Sequence, residues 1–510
     1  MKRREFMTGF ASLVAGSALL KPMWWPTVAN ADGALGGMPN ANRILVKIVL
    51  RGGNDGLNTV IPYTDPLYSQ LRPTIAVPPA QVLDLDGAVG LHPSMSSLMP
   101  HWDAGDVAVF RGVGYPDMNL SHFRGTDIMF SGSNRNTVWE TGWLGRFLER
   151  CNPSFPAVLP PAPLALQQGF SAQLPLQADR GTAGVIVNNP NSFYWLVNRN
   201  YTGSASDEIP ATAAGDELKY LRQVDTEAFE YAAVIRDASR NGTTQGVYPD
   251  VGLGDQLGTV ATLIEGGLQT PVFLVSMGGF DTHGDQLDEH PFNLQVLSEA
   301  ISAFMFDMNR IGRGDDVAIL TVSEFGRRPN ENGSWGTDHG TAAPWFLVGS
   351  GINGGLYGAQ PPLDSLDQYN NLLVQMDYRT IYGSLMQDWF GAAEASAIEV
   401  LGGDFGTQPI VAQTASRSVG IAPVATKLYA PRPNPARGQR NIQFDLKADS
   451  AVDLSVFDVR GRRVSHVYGG RLAAGRHNFT WDPQGKVATG MYFLVMRTPT
   501  GKFTQKLVIQ

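Results

Sequence analysis

Five short apolar runs, at residues 44–50, 107–113, 272–277, 317–322 and 345–348, lack the polar alternation of a half-exposed strand. A strand covered on both faces reads as a near-continuous run of Val, Ile and Leu. Helical stretches at 216–239, 291–311 and 378–389 lie among them. In the second, Phe292, Val296, Leu297, Ile301, Phe304, Met305 and Met308 share one stripe, expected to be a core face. Runs and helices together predict an α/β domain over 42–405, with a mainly parallel sheet flanked by helices.

A chain of 510 residues exceeds one ordinary domain, and its charge divides it. From residue 428 onward, 13 Lys and Arg stand against 5 Asp; the rest carries 26 basic against 42 acidic residues. A change of sign this large marks two physically distinct units. The overall charge of −8 excludes a dominant nucleic-acid binder. The single cysteine, Cys151, excludes an internal disulfide and reads as a packed thiol.

The ends read as addresses. Residues 1–31 carry Lys2-Arg3-Arg4-Glu5-Phe6, a modest apolar run and Ala29-Asn30-Ala31, the layout of a twin-arginine export signal. That run is short, rich in Gly, Ser and Ala, and soon followed by Pro22 and Pro26, so no transmembrane anchor is expected in the mature chain. Residues 406–427, rich in Ala, Ser and Thr, are expected to link the domains. Beyond them, short alternating runs bounded by Gly, Pro, Asp and Asn predict a small all-β sandwich over 428–510. Asn434-Pro435, the turn Asp458-Val459-Arg460-Gly461-Arg462, Gly490-Met491-Tyr492-Phe493 and the closing Lys506-Leu507-Val508-Ile509-Gln510 resemble the C-terminal sorting domain of the type IX secretion system. That resemblance implies an immunoglobulin-like fold and passage from the periplasm to the cell surface or medium. Export and outer-membrane secretion machinery would be its partners.

Ligands gather beyond the carboxyl ends of strands in open parallel sheets. Here the first run leads into Arg51-Gly52-Gly53-Asn54-Asp55-Gly56-Leu57-Asn58, and the third into Gly278-Gly279-Phe280-Asp281-Thr282-His283-Gly284. The fourth leads into Ser323-Glu324-Phe325-Gly326-Arg327 and then Gly336-Thr337-Asp338-His339-Gly340. Asn119-Leu120-Ser121-His122-Phe123-Arg124 follows the second run and opens a helix. Imidazoles and carboxylates crowded together repel or stay partly protonated unless a cation joins them, and mixed N/O sets suit Zn, Mn or Fe. One Asp-His pair is weak evidence; recurrence at several strand ends predicts a metal site.

Together these motifs resemble a family of exported bacterial proteins, the domain of unknown function 1501 family, grouped with the alkaline phosphatase and sulfatase superfamily. The resemblance covers nearly all of the large domain. It implies an alkaline-phosphatase-like fold, one or two divalent metals (Zn, Mn or Ca) and a hydroxyl nucleophile that opens small anionic phosphate or sulfate esters. Carried over by position, Asp55, Asp281, His283, Asp338 and His339 are the expected ligands and Ser121 the nucleophile. Arg124, Arg327 and His122 are expected on the substrate. One departure bears on the metal count: the superfamily's second site takes a further histidine after the Asp-His pair, and the next after His339 is His466, in the tail. A non-catalytic surface or binding protein retaining a degenerate metal site is the alternative.

Overall fold

Every apolar run forms a strand. Ile44–Leu50 (β1), Val107–Gly114 (β2), Ala165–Gln167 (β3), Val185–Ile186 (β4), Val272–Met277 (β5), Val317–Ser323 (β6), Ala343–Val348 (β7), Gly355–Tyr357 (β8) and Met376–Asp377 (β9) build one sheet. The computed structural model describes residues 38, 40, 42–169, 174–200, 209–412, 426–431, 434, 440–448, 450–472, 475–481 and 487–509; the expected signal at 1–31 lies outside them. The sheet order is β8-β2-β7-β6-β1-β5-β3-β4, with β9 also on β2. β1 runs parallel to β5 and β6, β3 to β4 and β5, and β8 and β9 to β2. β7 is the reversed strand, antiparallel to both β2 and β6. The sheet is therefore mainly parallel, as expected.

All of β1, β6 and β7 is buried, which explains the missing alternation. Helices supply the cover: His122–Ser131 (α1), Trp143–Cys151 (α2), Ala213–Asn241 (α3), Gly252–Glu265 (α4), Gln286–Arg310 (α5) and Tyr378–Ser384 (α6). Trp143 stacks on Tyr382 at 4.2 Å between ring centroids, and Trp345 lies 5.8 Å from Tyr382. Side chains of this kind, fully buried, each stabilise the fold by roughly 2–3 kcal/mol.

Two helices depart from the sequence reading. α5 begins at Gln286, ahead of Pro291, and its acidic first turn (Asp288, Glu289) suits the positive end of the helix dipole. Phe292, expected in the core stripe, is 56% exposed, whereas Val296, Leu297, Ile301, Phe304, Met305 and Met308 are buried. At that level α5 has passed the end of β5: the neighbouring Asn293 donates to the carbonyl of Gly279, in the turn beyond the strand (2.7 Å). α6 ends at Ser384, and Leu385–Trp389 continues as a π-helical turn.

The chain divides into two compact units, Met1–His101 with Asp106–Val411, and Ala412–Gln510 with Trp102–Gly105. Among the described residues from 426 onward the second is all-β and antiparallel, with one sheet of Lys427–Leu428, Arg440–Leu446 and Gly475–Trp481. Its other sheet comprises Ser450–Asp458, Arg463–Leu472, Gly490–Thr498 and Gly501–Ile509. Ile442, Phe444, Leu454, Val456, Leu494, Met496 and Leu507 form its own apolar core. Asp458 accepts from the amides of Arg460 and Arg462, closing the turn legible in the sequence. Among the described residues, no helix is long and apolar enough to cross a membrane.

Candidate metal centre

Strand register gathers the polar turns. Leu50 pairs with both Met277 and Ser323, so β1, β5 and β6 end level and their turns begin side by side. Because β7 runs backwards, the segment leading into it arrives at that same edge, where His339 pairs with Arg327 in a two-residue ladder. Two glycines permit the close approach. A Cβ on Gly52 (φ +122°) would stand 2.3 Å from the Asp281 nitrogen, and one on Gly336 would stand 2.4 Å from the His283 carbonyl carbon.

His122, Asp281 and His339 bring ligand atoms within 4.8 Å of one another. His339 Nε2 lies 3.2 Å from Asp281 Oδ1, and His122 Nε2 lies 3.4 Å from Asp281 Oδ2. His283 Nε2 is 2.9 Å from His339 Nε2 and 3.3 Å from Asp281 Oδ1, and its Nδ1 is 3.5 Å from Asp338 Oδ1. Asn332 donates to Asp338 Oδ1 (3.1 Å) and to the His283 carbonyl (3.0 Å), tying this end together.

The tautomers follow from the other ring nitrogens. His339 Nδ1 faces the Leu120 carbonyl at 2.9 Å, and His122 Nδ1 faces Glu324 Oε1 at 2.9 Å. Both partners only accept, so each Nδ1 carries a proton and each Nε2 is the atom that can offer a lone pair to a cation. A cation standing among them would take both lone pairs and the carboxylate together. Protonating His339 is disfavoured, because burial lowers its pKa and the Arg327 charge lowers it further, although hydrogen bonds to Asp281 and Leu120 act the other way. Burial alone would raise the Asp281 carboxyl, but hydrogen bonds from Arg327 and His339 and the charges of Arg327 and His122 bring it down to about 2. Neutral imidazoles around an ionised carboxylate are what a divalent cation takes, so the residues present fit such an ion.

Glu324, 4% exposed, also accepts from the Gly52 amide (2.8 Å) and is held by the Ser323 hydroxyl (3.2 Å), so the carboxylate orienting His122 is itself fixed. Arg327 is buried and turned inward. It donates to Gly53 O (2.8 Å), Thr337 O (2.7 Å), Phe280 O (3.1 Å), Gly52 O and Asp281 Oδ1 (2.6 Å). Its hydrogen bonds reach the cluster at Asp281. Arg124 gives Nη2 to the carbonyls of Asn134 and Thr137, bracing a loop.

Asp55 is not part of the His122–Asp281–His339 group. It is fully buried, Arg72 donates to Oδ2 at 2.6 Å and to Oδ1 at 2.9 Å, and Gln286 also donates to Oδ2. It further caps the short helix Gly56–Thr59 through the Leu57 amide. Burial on its own would raise the Asp55 carboxyl; the Arg72 charge and hydrogen bond outweigh it and hold it below the ordinary carboxylate range. Nothing in the sequence marked Arg72 as its partner. Ser121 is exposed at the N-cap of α1 with no side-chain cap bond, between Leu120, whose carbonyl meets His339, and His122, which meets Asp281. Of the expected residues, Asp281, His283, Asp338, His339 and His122 come together; His122, expected on the substrate, stands with the ligands.

In comparisons with solved structures, the chain is similar to a protein in the alkaline phosphatase superfamily from Vibrio parahaemolyticus, at 10% identity over 98% of this chain and 91% of that one (TM-score 0.33). It is also similar to a sulfatase from Pseudoalteromonas sp., at 9% identity over 95% and 89% of the two chains (TM-score 0.29). Dimeric latent PorU from Porphyromonas gingivalis matches at 19% identity over 17% of this chain and 9% of its own (TM-score 0.13), so this chain spans under a tenth of that protein. Residues 235–392 match the family described as protein of unknown function (DUF1501), and residues 431–510 match the secretion system C-terminal sorting domain. Both resemblances read from the motifs are thus met. The first match is narrower than the motifs, taking in Asp281, His283, Glu324, Asp338 and His339 but neither Asp55 nor Ser121. No curated protein matches.

Proposed function

We propose that the α/β unit is a metal-dependent hydrolase of phosphate or sulfate esters, delivered to the cell surface or medium by its C-terminal unit after twin-arginine export to the periplasm. The observation that carries this reading is the pair of imidazoles, His122 and His339, whose Nδ1 atoms are engaged and whose Nε2 atoms converge on Asp281. His122, Asp281 and His339 would hold the ion, with His283 and Asp338 beside them. The imidazole-rich set suits zinc or manganese better than calcium, which takes oxygens. A divalent cation bound there supplies Lewis-acid polarisation of an ester oxygen. Ser121, exposed at the N-cap of α1 and next in sequence to His122, would supply the nucleophile, and the N-terminal amides of α1 favour an anionic group there.

The second reading, a binding protein with a degenerate site, is favoured by Asp55, whose carboxylate is given to Arg72. One set of measurements separates them: metal content, with hydrolysis of p-nitrophenyl phosphate and sulfate, for the parent, His339→Ala and Ser121→Ala. His339→Ala is expected to lower metal affinity at least about tenfold, since losing even a partner that only orients a ligand costs that much. Ser121→Ala should keep the metal and lose hydrolysis. Full activity in Ser121→Ala would remove the serine mechanism, and metal without any ester hydrolysis would favour the second reading.

A further inference from the structure

We propose that Gln286 is a positioning residue for the metal ligands, its carboxamide oxygen tying together the two turns that carry Asp281, His283, Asp338 and His339. This rests on the reading of the histidine cluster as a metal site and names what holds its ligands in register. Burial alternates in both turns. Thr282 is fully buried between exposed Asp281 and exposed His283, and Thr337 is fully buried ahead of exposed Asp338 and half-buried His339. Both threonine hydroxyls end on one atom. Thr337 Oγ1 donates to Gln286 Oε1 at 2.7 Å, and Thr282 Oγ1 donates to it at 3.2 Å. The Thr337 amide also donates to the Thr282 carbonyl at 3.0 Å, so the turns lie side by side at this level. A carboxamide oxygen has two lone pairs, and the threonines take both.

The other end of the carboxamide is fixed by charge. Gln286 Nε2 donates to Asp55 Oδ2, and a carboxylate paired with Arg72 only accepts. The amide is therefore held with its NH2 toward Asp55 and its oxygen toward the threonines. Arg72 is held in turn by the carbonyls of Pro329 (2.8 Å) and Arg328 (2.9 Å) and by Asn58 Oδ1 (2.8 Å). Gln286 is 1% exposed at the start of α5, and its own amide donates to the Trp335 carbonyl (3.1 Å), two residues before Thr337. Backbone and side chain of Gln286 thus grip the same segment. The path from Arg72 through Asp55 and Gln286 ends one or two residues from each of the four ligand candidates, which gives Asp55 a part in the site without membership of the cluster. A role confined to the core would change stability and leave the metal affinity of the folded protein unaltered; a positioning role changes the affinity itself.

The probe is Co(II), titrated into the metal-free full chain and read by its visible absorption, with urea midpoints of the same metal-free proteins measured in parallel. Gln286→Met keeps the length of the side chain and removes the carboxamide. Thr282→Val with Thr337→Val keeps the shape of both threonines and removes the hydroxyls, whereas Thr282→Ser with Thr337→Ser keeps the hydroxyls. Gln286→Met and the double Thr→Val variant should each weaken Co(II) binding about tenfold and alter the visible band, while the double Thr→Ser variant stays within about twofold of the parent. Because one oxygen serves both hydroxyls, adding Gln286→Met to the double Thr→Val variant should leave the loss near tenfold, short of the roughly 100-fold of independent effects. Should Gln286→Met fail to fold, Thr→Val against Thr→Ser decides alone. Folded Gln286→Met or double Thr→Val protein with the parent's affinity and band would overturn the proposal, however far its urea midpoint falls. A parent that takes up no cobalt removes the metal site and the positioning role together; cobalt bound equally by parent and variants removes the positioning role alone.

Discussion

At the scale of single residues, the least expected group is Lys47, a fully buried lysine in the middle of β1. Its amine donates to the Tyr382 hydroxyl at 3.2 Å and lies 5.1 Å from the ring centroids of Phe130 and Tyr382 and 5.7 Å from that of Trp143. Burial pushes its pKa down to about 7. The unfolded chain therefore keeps a proton that the folded one releases between about pH 7 and 10.5, and stability rises with pH in that window. The full difference is roughly 5 kcal/mol. Lys47→Met should raise stability by roughly 1–3 kcal/mol at pH 6 and shrink the gain between pH 6 and 9, read from urea midpoints. Equal pH slopes in parent and variant would show that the amine stays charged. The site residues show how far single letters carry. Asp281, His283, Asp338 and His339 were legible because each stands in a Gly-bounded turn after an apolar run. Asp55 looked the same in sequence, but its partner Arg72 comes from another helix end, and nothing local announces such a pairing.

Elements explain why those turns meet. That polar turns follow β1, β5 and β6 was legible from the apolar runs, whereas the strands' level ends and the reversal of β7 were not, since a buried strand reads alike in either direction. That reversal delivers His339 to the edge. The glycines then set how closely the turns approach, and three of them make a graded test. Gly52→Ala places a Cβ against the Asp281 nitrogen at a positive φ, and Gly336→Ala places one against His283. Each should cost roughly 2–4 kcal/mol or displace the ligand it touches, lowering metal occupancy without altering any ligand. Gly278, in the same group of turns, has nothing within 4 Å of its added Cβ. Gly278→Ala should stay within about 0.5 kcal/mol of the parent in denaturant midpoint and hold the same metal. If all three variants keep both stability and metal, the close packing of these turns is not what positions the ligands.

For the whole molecule, the question is whether chemistry and delivery are separable. The tail's core, centred on Phe444, Leu454, Val456 and Leu494, shares no member with the cluster under the large sheet, which is built from residues such as Phe110, Trp143, Trp345 and Tyr382. Its charge is opposite in sign, and residues 431–510 match a sorting domain. A unit with its own core folds by itself. Ending the chain at Lys427 should therefore leave the thermal midpoint of the α/β unit within about 2 °C and its metal content unchanged. The same truncation should hold the protein in the periplasm, read by fractionating cells that express it with the type IX system intact. A midpoint that falls together with metal content would mean the tail supports the site itself. A truncated chain that still reaches the surface would leave the midpoint result standing and remove the sorting role.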